Sequence, residues 1–67
     1  MAGGTHSSGW TVAALDHLRQ LNRLGGDLDQ LAEMMGTTRR DIDWALWMML
    51  GRTPAEALEA MKRREAA

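Results

Sequence analysis

The sequence predicts an all-α protein built as a small four-helix bundle. Three observations point there. Gly25-Gly26, Gly36 and Gly51 each close an apolar run of helical period, where a left-handed helix cap is wanted. Asp27, Thr38 and Thr53 stand where N-caps belong, just ahead of those runs. The composition has one proline, and its bulky core residues are drawn from Leu, Ile, Val, Met and Trp, with Tyr and Phe absent. Such a mixture, rich in Ala, Leu, Met, Glu and Arg, favours helices throughout.

The first helix is expected from about Thr11 to Leu24. Ala14, Leu18 and Leu21 form one stripe, with Leu15 and Leu24 at its sides. Asp16, Arg19, Gln20 and Arg23 line the opposite face at i, i+3, i+4, i+7 spacing. The second helix is expected from Leu28 to Met35. Asp27 caps it, Gln30 completes a capping box, and Leu28, Leu31, Ala32 and Met35 make the apolar stripe.

The third helix starts after Thr37 or Thr38 and is expected to reach Leu50. Thr38 is its cap, and Asp41 suits the positive end of the helix dipole. At 100° per residue, Ile42, Ala45, Leu46, Met49 and Leu50 fall on one side. Arg40, Trp44, Trp47 and Gly51 cluster opposite, with Met48 beside them. The helix therefore has two apolar faces. A helix apolar all round is normally buried all round, so Trp44 and Trp47 are expected to be covered.

The fourth helix has the clearest start. Thr53, Pro54 and Glu56 supply the cap, the first-turn proline and the third-position acid. It should run to about Arg64. Leu58 and Met61 form its main ridge, with Ala55, Ala57 and Ala60 nearby. That ridge is too slight to cover two indoles, so a second chain or Trp10 is expected to contribute.

Length and charge limit the rest. At 67 residues the chain holds one domain, and it buries only about 60% of its unfolded surface. The reading is a flexible N-terminal tail over residues 1–9 and one helical domain over 10–65. Without cysteine there are no disulfides or thiolate metal sites. His6 and His17 lack second ligands at metal spacing, so no metal and no cofactor are expected. No nucleophile stands with a base, and no glycine loop cradles phosphate. An enzyme with a small-molecule substrate is not expected. No stretch reaches the ~20 apolar residues of a membrane span, and the N-terminus lacks a signal-peptide pattern. A cytoplasmic protein with no membrane partner is the expectation. The net charge of −1 supplies no overall basic excess for phosphates.

The segment "LDQLAEMMGTTRRDIDWAL", preceded by "GWT" ahead of the first helix, resembles a homeodomain-like helix-turn-helix of the Myb/SANT type. The positions that carry the likeness are Leu28, Leu31, Ala32, Gly36 and Ile42, and it extends from Trp10 to Leu50. The resemblance implies a helix-turn-helix core within the bundle, and duplex DNA as a partner of the third helix. It implies Thr37, Thr38, Arg39 and Arg40 as groove contacts. Arg19 and Arg23 would then hold the phosphate backbone from the first helix. This sequence departs from that pattern at Trp44, Trp47 and Met48, where polar base readers usually stand, and Asp41 and Asp43 would oppose phosphates. Those residues suit a protein-interaction or homodimer face instead, a role in which Trp is enriched. A small DNA-binding or transcription-associated domain is the leading expectation, and a protein-interaction or homodimerisation module using Trp44, Trp47 and Met48 is the alternative. Lys62, Arg63 and Arg64 are read first as charge complementing a helix C-terminus.

Overall fold

The computed structural model describes residues 9–66, with side chains to residue 65. The expected tail lies outside the described residues, except for Gly9. Among those described, four helices make an all-α bundle without strands: α1 Val12–Arg23, α2 Leu28–Met35, α3 Arg39–Met48 and α4 Pro54–Ala66. α1 and α3 each pack against the other three helices, and α2 and α4 lie on these two.

Each helix starts on a side chain that satisfies an orphan backbone N–H. The Thr11 hydroxyl accepts from Ala14 N at 3.1 Å, and the Asp27 carboxylate accepts from Gln30 N at 2.7 Å. The Thr38 hydroxyl accepts from Asp41 N at 3.1 Å. At α4 the capping box closes both ways. Glu56 N donates to the Thr53 hydroxyl at 3.1 Å, and Thr53 N donates to the Glu56 carboxylate at 2.8 Å.

The α2–α3 turn is Gly36, Thr37 and Thr38. Gly36 sits at φ 70°, which a side chain would strain. Thr37 N donates to Ala32 O and Gly36 N to Glu33 O, the two bonds of a Schellman stop. The helices on either side of this tight turn are the helix-turn-helix of the bundle. α3 ends sooner than its apolar run suggests. Its last turn is closed at Met49, Gly51 takes φ 68°, and the Arg52 guanidinium donates to Met48 O at 3.1 Å.

The core gathers Trp10, Leu15, Leu18, Leu31, Ala32, Ile42, Ala45, Met48, Met49, Ala57, Ala60 and Met61. Ala14, Leu21, Leu28, Met35, Trp44, Leu46 and Leu58 pack on its edge. Several assignments change. Leu24 is 82% exposed because it caps α1 and the chain turns away at Gly25. Leu50 is exposed because the buried stripe of α3 runs through Asp41, Ala45 and Met48, which leaves the position three residues after Trp47 on the outer side. On α4 the buried ridge is Ala57, Ala60 and Met61, with Leu58 at its margin and Ala55 exposed. The small alanines let the neighbouring helices come close.

Among the described residues one charged residue is buried with the core. Asp41, in the first turn of α3, accepts from Trp10 Nε1 at 3.2 Å and from the Thr37 hydroxyl at 2.7 Å. The contact joins residues 31 positions apart, and it fixes the segment before α1 onto the α2–α3 turn. Replacing Asp41 by Ala strands two donors. Asp41→Ala is expected to lower the unfolding free energy by about 1–3 kcal/mol, measured by urea titration with far-UV circular dichroism. Asp41→Asn, which keeps an acceptor, should recover part of that loss. Equal stability of the parent and the alanine variant would show that the contact holds nothing.

Candidate interaction face on helix α3

α3 turns Ile42 and Ala45 fully inward, with Asp41 and Met48 beside them. The opposite face follows from the 100° period: Arg40, Asp43, Trp44 and Trp47, flanked by Arg39. Arg39, Arg40, Asp43 and Trp47 are exposed, and Trp44 is half-buried against the edge of the core. Trp47 is 66% exposed, and Leu50, one turn further, is 64% exposed.

Within one copy of the chain, then, neither α4 nor Trp10 supplies the cover expected for Trp47. α4 folds back on the inner side of α3 and leaves Trp47 open. Trp10 does not reach across to help, since its ring is in the core and its N–H is held by Asp41. Met48 is also corrected. It points into the core at 7% exposure, because residues 41, 45 and 48 share the inward stripe.

The residues proposed for nucleic acid are distributed unevenly. Thr37 and Thr38 sit in the turn, with their hydroxyls engaged by Asp41: Thr37 donates to its carboxylate and Thr38 accepts from its N–H. Both therefore serve to build the turn. Arg39 and Arg40 project from the first turn of α3, and Arg39 lies 3.7 Å from Asp29 of α2. Arg19 lies 2.8 Å from Asp16, whose other oxygen accepts from Gln20 at 2.8 Å. Arg23 is exposed at the end of α1. Asp41 faces inward, so of the two acids expected to oppose phosphates only Asp43 stands on the outer face.

Elsewhere a shallow groove of about 400 Å³ runs between Gly51, Arg52, Glu56, Glu59 and Arg63. Its charges alternate, and Glu56 is already used to cap α4. Lys62, Arg63 and Arg64 are exposed near the end of α4. Among the described residues no group of three or more His, Cys, Asp or Glu side chains could hold a metal ion. No helix among them is long and apolar enough to cross a membrane.

The sequence reading missed the Trp10–Asp41 pair. A signal for it existed, because a buried tryptophan N–H needs an acceptor and Asp41 is the acid nearest the core stripe of α3. Compared with protein-family models, curated proteins and solved structures, the chain matches none.

The three indoles should behave differently in dilute solution. Hydrogen exchange read by NMR is expected to be slow at Trp10 Nε1 and fast at Trp47 Nε1. Trp47→Ala should change stability by no more than about 0.5 kcal/mol. Met61→Ala, in the core, should cost about 2–5 kcal/mol. Loss of stability in Trp47→Ala comparable to that of Met61→Ala would contradict the exposed position of this ring.

Proposed function

We propose that the protein is a small helical interaction module that docks on protein through the outer face of α3. The observation that carries this reading is the exposure of Trp47, with Leu50 beyond it and Trp44 at its border. Buried area rather than polar contact is what such a face offers. Burial of one large apolar side chain contributes roughly 1.5–3 kcal/mol. A helix that reads a DNA groove presents hydrogen-bonding side chains along its outer face. On this helix Trp44 and Trp47 occupy those positions, and Thr37 and Thr38 are tied into the turn.

A second reading, a DNA-binding helix-turn-helix domain, is favoured by one observation. Arg39 and Arg40 both project from the first turn of α3. They offer two cations without a wider basic surface, since the chain carries a net charge of −1 and Arg19 is engaged with Asp16.

Titration with duplex DNA, followed by amide NMR at low salt, separates the two. The docking reading expects the α3 amides to stay in place. Shifts over residues 39–47 that weaken steeply with salt, and vanish in the double variant Arg39→Ala/Arg40→Ala, would transfer the face to nucleic acid.

A further inference from the structure

Resting on the docking reading, we propose that the occupant of the α3 face is a second copy of this chain, paired antiparallel across a two-fold axis. The outer stripe carries both halves of its own contact. Arg40 stands at one end and Trp47 at the other, seven residues apart, which is about 10.5 Å along the helix. A two-fold axis between Asp43 and Trp44 lays Arg40 of each copy across from Trp47 of the other. A guanidinium within about 6 Å of an indole face is attracted to the ring, and arginine is the cation that most often makes this contact. Symmetry makes the contact twice, as any self-complementary interface does. The half-buried Trp44 rings meet at the axis, and Leu50 extends the apolar area outward at each end.

Charge supports the choice of partner. At a net charge of −1 the copies have little long-range repulsion to overcome. Asp43 is the opposing element, because two of these carboxylates approach each other beside the axis. The stripe belongs to a helix of 10 residues, far less surface than the ~800 Å² per partner of a standard interface. The dimer is therefore weak and exchanges rapidly.

The test is sedimentation equilibrium of the full chain from about 10 μM to 1 mM, a range matched to a small, weak interface. Parent protein is expected to form a reversible dimer. Arg40→Ala should weaken it about tenfold, since it removes two symmetric contacts of roughly 0.7 kcal/mol, and Trp47→Ser should weaken it by more than that, since it also removes the buried area of two rings. Asp43→Asn should tighten it. All three positions are exposed on the outer face or at its border, and circular dichroism should show unchanged helicity. A monomer throughout the range overturns the proposal, as does a dimer indifferent to Arg40→Ala. The DNA titration tells the two failures apart. A monomer whose α3 amides ignore DNA refutes the second copy alone, whereas a monomer whose α3 amides shift with DNA refutes the docking reading as well.

Discussion

The fold depends on a carboxylate that the core has accepted. Asp41 is buried, and a buried charge is costly unless its lone pairs are met. Here they are met three ways. The Trp10 indole N–H and the Thr37 hydroxyl donate to its two oxygens, and the residue sits in the positive first turn of α3. None of these donors lies on α3 itself. Trp10 precedes α1 and Thr37 belongs to the α2–α3 turn, so one side chain ties three parts of the chain together. The Schellman stop at Gly36 places Thr37 where it can do so, and the Thr38 cap orients the Asp41 backbone. Local capping and long-range packing thus converge on a single residue.

That convergence also fixes which way α3 faces. With Asp41, Ile42, Ala45 and Met48 committed to the interior, the 100° period leaves Arg40, Asp43 and Trp47 outside. The helix cannot rotate to hide Trp47 without exposing Ile42 and breaking the Asp41 bonds. Exposure of a large indole is therefore the consequence of a well-satisfied inner face rather than of loose packing. That fixed orientation sets which side chains the outer face presents, and a pre-organised set is what a contact surface requires.

Much of the architecture was legible in the residues. Asp27, Thr38 and Thr53 each cap the helix they precede, because N-cap chemistry is local and needs only a side-chain oxygen at the right offset. Gly36 and Gly51 both take the left-handed conformation expected of helix stops. What escaped notice was set by distant parts of the chain. Met48 and Leu50 exchanged roles because Asp41 turns inward and brings the buried stripe round to Met48, which leaves Leu50 on the side of Trp47. The expectation that α4 or Trp10 shields Trp47 treated apolarity as proof of burial within one chain. The inner stripe was already filled, and α4 covers only that side. Of the candidate face, Arg40, Trp44 and Trp47 were legible from helical spacing, whereas Arg39 entered through the resemblance. The structural duties of Thr37 and Thr38 were not, because they depend on Asp41 turning inward.

The core itself is made of modest pieces. Ala32, Ala45, Ala57 and Ala60 supply close contact but little area, and Met48, Met49 and Met61 fill space with flexible side chains. Heat capacity of unfolding follows the apolar surface exposed, at roughly 12–15 cal/mol/K per residue in ordinary domains. A short chain with an alanine-lined interior falls low on the absolute scale, and its melting enthalpy is correspondingly small. Calorimetrically, such a domain melts over a wide span of temperature, and an unfolded fraction accompanies the folded one well below the midpoint.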